Sequence, residues 1–537
     1  MKFQLEWFGN ISKGYRLKIV MPFLLNIIAV CASLLFVEYT QKLLSCYNST
    51  LDVMYTFIMI LIVIKIIQLI AEQLEVIIRE KTCSAFELRL TKLFFRNLYS
   101  IRVSQHQKLH SGDALSRLTA DVSSMANTVT NSVPLFVFSI IQFIATSLYL
   151  SWINPYLTFF IILIMPIAVV VGKNYNKLLI PLSFDIRVKD SKISQFMLEH
   201  LQQYEVINAL GQKNVVKNTL GSLCDNLFSI IKKRINVEVA VDTLIESGFS
   251  AGYLVVLIWG VWGMRENSFS YAQLIAFIQL IGQIQRPVIM IKSQYPLIIN
   301  GVASICRLKE IEELPQEEEN IMHLEGCLGI KLDNLCYRYS ADKPYIYYNF
   351  TYNIIPSSFT VIMGETGIGK STLFRLILSF AIPNSGKVFL YNDKTQIEAN
   401  ETLRNNIAYV PQGNSIISGT IKYNLLLGNQ NATDENLKHA LHVACADFVT
   451  TLPNGIETEI GEGGFGLSEG EAHRISIARA LLKDAPILLL DEPTAAVDDS
   501  TEESMMKRIK ESLVGKTIII ITHNINVCKY ATNILNL

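Results

Sequence analysis

The sequence lacks a net charge: Lys+Arg and Asp+Glu both number 47 among 537 residues. No global field draws such a chain to nucleic acid, and no nucleic-acid partner is expected. Charge of any sign is scarce, at 18% of residues, which excludes a solvated disordered polymer. Glycine (28) and cysteine (9) are too sparse for a collagen or a disulfide scaffold. The cysteines form no CxxC pair and no Cys/His cluster at zinc spacing, so they read as free, mostly buried thiols.

What is present is apolar. Half the residues are hydrophobic and the mean hydropathy is +0.32. They gather into six runs, at 22–37, 51–71, 133–153, 155–172, 248–264 and 272–291. Each is near the roughly 20 residues that carry a helix across about 30 Å of hydrocarbon. The links at 45–50, 154 and 265–271 are short, whereas 72–132 and 173–247 are long. Basic residues collect in the long links (Arg79, Lys81, Arg89, Lys173, Arg187, Lys232) and before the first run (Lys13, Arg16, Lys18). Basic flanks stay in the cytoplasm. The N-terminus and both long links are therefore expected there, in a lipid-embedded multi-pass protein. A bacterial inner membrane is the default expectation.

The stretch 71–104 mixes Leu, Ile and Phe at three- and four-residue spacing with charges, which predicts helix continuing beyond the bilayer. The segment at 3–8 reads as an interfacial amphipathic turn, and the first run as a retained span rather than a cleaved signal. Asn48-Ser49-Thr50 fits a glycosylation acceptor, which carries no meaning in a bacterium. Lys65 within the second run reads as a snorkelling lysine first and an interior group second. Gln68, Gln142, Gln279 and Gln283 admit the same two readings.

After residue 314 the composition changes. Residues 315–320 are polar and acidic, and beyond them strand-like apolar stretches alternate with helical ones. The expected organisation is an all-α six-helix transmembrane domain at 1–314, a linker at 315–325, and an α/β P-loop domain at 326–537. The strongest motif is Gly364-Glu365-Thr366-Gly367-Ile368-Gly369-Lys370-Ser371-Thr372, between the strand-like 360–363 and the helix-like 373–378. It satisfies G-x-x-x-x-G-K-[ST]. Glycines let the backbone N–H groups curl toward phosphate oxygens, and the helix N-terminus adds a favourable field. Lys370 reaches the outer phosphates, and the Ser371 hydroxyl is placed to ligate Mg²⁺. Ile487-Leu488-Leu489-Leu490 reads as a buried strand ending in Asp491 and Glu492, where ligands of open α/β sheets bind. Asp491 would join the Mg²⁺ shell, and Glu492 would orient or deprotonate the attacking water.

These motifs together resemble the ATP-binding cassette (ABC) transporter family, specifically a half-transporter of exporter type, over nearly the whole chain. The resemblance implies ATP and Mg²⁺ as cofactors. It implies that Tyr339 stacks on adenine, that Gln412 touches Mg²⁺ and water, and that His523 contacts the γ-phosphate. Ser468 and Gly470 take the signature position, and Asp498 the loop that crosses a dimer interface. Family sites are composite, so a second half-transporter chain is implied, a homodimer being favoured and a heterodimer open. Segments 111–118 and 203–210 look like coupling segments. The implied function is an ATP-hydrolysing exporter working by alternating access. One half of a heterodimer, or a non-transporting ATP-gated channel or regulator, stays open.

Two features depart from the family pattern. Glu469 and Glu471 stand where the signature usually has glycine and glutamine. Locally, Ser468-Glu469-Gly470-Glu471 predicts a capping box, so the helix itself is expected to be sound. A carboxylate beside the γ-phosphate would repel it; the expectation is that Glu469 points away and the site stays active, with impairment by Glu469 as the alternative. The chain also ends soon after His523, and residues 534–537 are expected to supply one edge strand.

Overall fold

The computed structural model describes residues 13–46, 50–106, 111–153, 155–266, 270–318, 320–340, 342–413, 415–461, 464, 466–494 and 497–537. The aromatic turn at 3–8, the acceptor Asn48 and the link at 154 lie outside the described residues. The chain divides into two units, Met1–Leu98 with Ser111–Glu313, and Tyr99–His110 with Leu314–Leu537.

The first unit is helical: α1 (Arg16–Ser45), α2 (Leu51–Tyr99), α3 (Val133–Ile153), α4 (Pro155–Gln202), α5 (Lys213–Arg265) and α6 (Tyr271–Glu313). Five helical stretches, Arg16–Ser45, Leu51–Tyr99, Gly112–Ile153, Lys213–Arg265 and Tyr271–Glu313, are long and apolar enough to cross a membrane. The run at 155–172 opens α4. Helix α2 has 49 residues and α5 has 53. At about 1.5 Å per residue each is more than twice as long as the hydrocarbon is thick. The helices thus continue past any bilayer, as the spacing at 71–104 predicts. None of the most apolar window of α2 is buried. Ile62, Ile66, Leu69 and Ile70 are exposed there, a surface suited to hydrocarbon and costly in water.

Two π turns, Arg117–Asp121 and Thr128–Ser132, interrupt the helical stretch before α3. Such turns re-aim side chains. The first carries Asp121, buried to 3% exposure, which accepts from the Ser304 hydroxyl at 2.9 Å and pairs with Arg307 of α6. The second carries Thr128, so close to α6 that a Cβ on Gly301 would lie 1.8 Å from its Oγ1.

The second unit holds a five-stranded parallel sheet and a four-stranded antiparallel sheet; the latter runs in the order β2 (Tyr347–Ile354), β1 (Gly329–Tyr337), β4 (Ser385–Tyr391) and β5 (Gln396–Glu398), the former in the order β11-β3-β10-β9-β6. The parallel strands are β3 (Phe359–Met363), β6 (Ile407–Val410), β9 (Ile487–Asp491), β10 (Thr517–Ile521) and β11 (Asn533–Asn536). Every residue of β9 and β10 is buried, which is why these strands read as unbroken apolar runs. Strand β11 lies parallel to β3 at the sheet edge, so the last residues do supply an edge strand. Three helices bear on the site: α7 (Lys370–Ile377), α8 (Glu469–Leu482) and α9 (Asp499–Ser512).

The acidic stretch at 315–320 is not a free tether. Ile101 and Gln316 form an antiparallel bridge, and Glu317 N–H donates to Ser100 O at 2.7 Å. The Glu317 carboxylate accepts from Arg404 at 2.6 Å, and Arg102 pairs with Glu401 at 3.3 Å. Residues 99–106 cluster with this unit through these bonds, which join positions remote in sequence.

The cysteines depart from expectation. All are free, yet Cys31, Cys224, Cys306 and Cys327 are exposed and only Cys336 is buried. A long helix leaves much of its circumference uncovered by its own chain, so a thiol there need not enter a core.

Candidate active site

Strand β3 runs into the glycine-rich loop, and α7 leaves from it. Gly364, Gly367 and Gly369 have φ of 154°, 88° and 117°. Side chains rarely adopt such angles. The N–H groups of Gly367, Gly369 and Lys370 enter no hydrogen bond among the described residues. Together with the α7 N-terminus they are donors ready for an anion. Glu365, Thr366, Gly367 and Ile368 form the exposed rim of the loop.

Lys370 is buried to 6% exposure. Its ammonium donates to Gly364 O at 2.8 Å and Glu365 O at 3.1 Å, and lies 3.0 Å from His523 Nε2. That same nitrogen is 3.2 Å from Glu492 Oε1. Gln412 Nε2 donates to the other oxygen of Glu492 at 2.7 Å. Lys370, His523, Glu492 and Gln412 thus form one chain of contacts. The reason lies in the sheet: Lys370 follows β3, His523 follows β10, Glu492 follows β9, and Gln412 follows β6. These four strands are adjacent and parallel, in that order. Their C-terminal ends therefore line up the four side chains in the order of contact.

His523 Nε2 cannot accept from Lys370 and donate to Glu492 at once. Its proton placement depends on what else Lys370 binds. Glu492 sits at φ 50° without being glycine, a left-handed conformation costing about 1–2 kcal/mol, and its N–H donates to Ile521 O at 2.9 Å. Strain of this kind gathers at functional sites.

Asp491 is 1% exposed. Burial pushes its carboxyl above the usual range, the Ser371 hydroxyl bonded to it pulls the other way, and the Glu492 charge adds to the rise. Its Oδ1 is buried without a hydrogen-bond partner among the described residues. A hard cation answers both an orphaned carboxylate oxygen and an adjacent hydroxyl. The donor set of Asp491 and Ser371 therefore fits Mg²⁺. Burial, then the same Asp491 charge, pushes the Tyr409 phenol up to about 12.

Tyr339 is half exposed beside the loop, edge-on to Tyr337 at 5.3 Å, with its hydroxyl 2.9 Å from Thr372 Oγ1. Ser468 caps α8 in the expected box. Its Oγ accepts from Glu471 N–H at 3.3 Å, and its own N–H donates to Glu471 Oε2 at 2.8 Å. The Ser468 hydroxyl also donates to that carboxylate, at 2.9 Å. Glu469 is exposed and Gly470 buried. No hydrogen bond links Ser468 or Gly470 to the glycine loop among the described residues. Asp498 caps α9, accepting from Thr501 N–H at 3.0 Å. The Ser500 hydroxyl, then the backbone of Thr501, hold its carboxyl down at about 2.

Two contributors carry no motif. Tyr347, buried in β2 (Tyr347–Ile354), donates its hydroxyl to Gly369 O at 3.0 Å. His473 of α8 lies with Nδ1 3.2 Å from Gly413 O, beside Gln412, and Nε2 is buried without a partner. Only their hydrogen-bond partners mark them, and these are remote in sequence. Burial lowers the His473 pKa from 6.5, more than the Gly413 carbonyl raises it. A depressed folded pKa means the unfolded chain binds more protons. The stability it contributes is present above about pH 6.5 and is lost as pH falls. His473→Gln is expected to flatten the acid limb of the thermal-stability profile below that pH. An unchanged limb would assign the acid loss to other groups.

Comparison with known proteins agrees with this geometry. The model of the ABC transporter transmembrane region matches residues 19–288, and that of the ABC transporter domain matches residues 347–495. The ATP-dependent lipid A-core flippase of Pseudomonas aeruginosa is 27% identical over 83% of this chain and 78% of its own length. The leukotoxin translocation ATP-binding protein of Mannheimia haemolytica is 28% identical over 99% of this chain and 76% of its own. A bacterial Atm1-family ABC exporter with ATP bound superposes with a TM-score of 0.86 at 21% identity, covering 98% of this chain and 94% of that one, and so shares the fold. This chain belongs to the ABC transporter family: it is a multi-pass, ATP-hydrolysing exporter with its membrane region and its ATP-binding domain on one polypeptide.

Proposed function

We propose that two copies of this chain form the working exporter, each ATP being held by the glycine loop of one copy and the α8 N-terminus of the other. The observation that carries this reading is the missing link within one chain. Lys370, His523, Glu492 and Gln412 join hands, while Ser468 and Gly470 enter no bond with them. The transmembrane region spans 1–314, the linker 315–325 and the nucleotide domain 326–537. The bacterial inner membrane is the proposed location, with lipid around the helices and the nucleotide domain in the cytoplasm. The relatives named above are bacterial, which supports it.

Chemically, Lys370 exchanges its contacts with Gly364 O and Glu365 O for phosphate oxygens. That withdraws its bond to His523 Nε2, leaving the imidazole to meet the γ-phosphate. Glu492, held by Gln412, orients water and takes its proton. Tyr339 packs on the base, and Ser468 turns its hydroxyl from Glu471 to the partner's γ-phosphate. Asp498 faces the partner at the interface. Mg²⁺, held by Ser371, Gln412 and Asp491, would offset negative charge on the outer phosphates. Closing of the pair moves segments 111–118 and 203–210 and turns the cavity outward. Glu469 and Glu471 favour a second reading, in which the partner is a different chain with an unmodified signature.

Complementation tests the assembly. Lys370→Ala and Ser468→Arg are each expected to abolish ATPase. The co-expressed pair recovers it, because mixed dimers retain one whole site. No recovery would refute the shared site. A wild-type chain silent when purified alone would point to a different partner.

A further inference from the structure

The first unit has an open cavity of about 450 Å³ between α1, α2, α3 and α6, the size of a site for a drug-sized molecule. Three of the four ambiguous glutamines, Gln68, Gln142 and Gln283, line it, whereas Gln279 does not. Lys65 does not line it either. Its ammonium donates to Gln68 Oε1 at 3.1 Å and lies 5.4 Å from the centre of the Phe36 ring.

The charges on the wall matter more. Glu75, Arg79, Glu72 and Arg286 all line the cavity. Glu75 and Arg79 answer each other at 3.0 Å, with Glu75 only 5% exposed. The other two stand apart. Glu72 receives one amide N–H, from Gln68 at 2.9 Å, and no cation pairs with it among the described residues. Arg286 has neither an ion pair nor a hydrogen bond among the described residues. One cavity thus holds an unanswered carboxylate and an unanswered guanidinium that do not meet. Arg286 lies exposed within the sixth apolar run, where an ionisable group marks a wet cavity or a site, and half-buried Glu72 stands one residue past the second run. The rest of the wall includes Val30, Leu135, Phe138 and Met290, which suit an apolar body.

We infer that this cavity binds the transported molecule, and that the molecule is a small zwitterion. Its protonated amine meets Glu72, its carboxylate or phosphate meets Arg286, and an apolar body lies between. Guanidinium pairs with either anion in bidentate fashion. This chemistry belongs to short apolar peptides and to aminophospholipid headgroups alike. The inference rests on the exporter reading above.

The test uses the full chain in phosphatidylcholine nanodiscs and reads ATPase stimulation. The probes are leucyl-phenylalanine, its N-acetyl form, its C-terminal amide and the doubly capped form. Separate discs contain phosphatidylethanolamine or phosphatidic acid. If the source is a peptide, each cap raises the half-stimulating concentration about tenfold or more. Arg286→Gln then erases the difference between acid and amide while keeping the preference for a free amine. Glu72→Gln does the converse. If the source is a lipid, phosphatidylethanolamine stimulates, phosphatidic acid does not, and Glu72→Gln removes that difference. Equal response across the panel, or none, overturns the zwitterion site while basal ATPase leaves the exporter reading standing. Absence of basal ATPase in the wild-type chain overturns both.

Discussion

Glu492→Gln should bind ATP as tightly as the wild type and hydrolyse it about 10²–10⁴ times more slowly, the range for losing a general base. That is about 3–5 kcal/mol of barrier. The substitution is isosteric. The amide keeps an oxygen for the Gln412 Nε2 that now donates at 2.7 Å, and the backbone N–H still reaches Ile521 O. The left-handed φ of 50° is unchanged in kind. What disappears is the proton acceptor beside His523. Nucleotide affinity and single-turnover hydrolysis, measured on the same preparation, separate the two effects. Retained fast turnover would remove Glu492 from the role of base. Loss of both binding and turnover would make its role structural.

Gly369→Ala should lower ATP affinity about a hundredfold or more, about 2.8 kcal/mol. Two independent causes act. The backbone sits at φ 117°, where a Cβ is strained, and that Cβ would lie 2.4 Å from Ile346 Cγ2 and 3.4 Å from the Tyr347 hydroxyl. The loop must shift, and its N–H groups with it. Since Tyr347 donates to Gly369 O, the same movement breaks a half-buried hydrogen bond. The pair Gly369→Ala with Ile346→Ala relieves the contact but not the torsion. It should recover part of the loss, as read by equilibrium binding of a fluorescent ATP analogue. Wild-type affinity in the single variant would show that the loop tolerates a side chain.

Much of this was legible in order along the chain because the relevant signals are local. The buried run Ile487-Leu488-Leu489-Leu490 announces a parallel strand, and its acidic end announces a site. Ser468 followed by Glu471 three residues later announces a cap, which the structure contains. The glycines of the loop announce positive φ. Other features depend on contacts across long sequence separations. Arg404 and Glu317 meet across 87 residues of sequence, and Ile101, two residues past the end of α2, bridges to Gln316. The polar, acidic 315–320 stretch reads as a linker, and composition does not register the partners that Gln316 and Glu317 meet. Exposed Cys224 and Cys306 escaped for the same reason, because exposure is a property of neighbours.

The sequence by itself determined that the first part of the chain is apolar helix and the second a phosphate-binding α/β domain, because helical period, run length and glycine torsion are written residue by residue. Only the tertiary structure decided that β10 lies between β3 and β9, which sets His523 between Lys370 and Glu492. It alone brought Glu72 and Arg286 to one cavity. Strand order and helix facing are set by how apolar faces pack against one another, a choice made among distant segments.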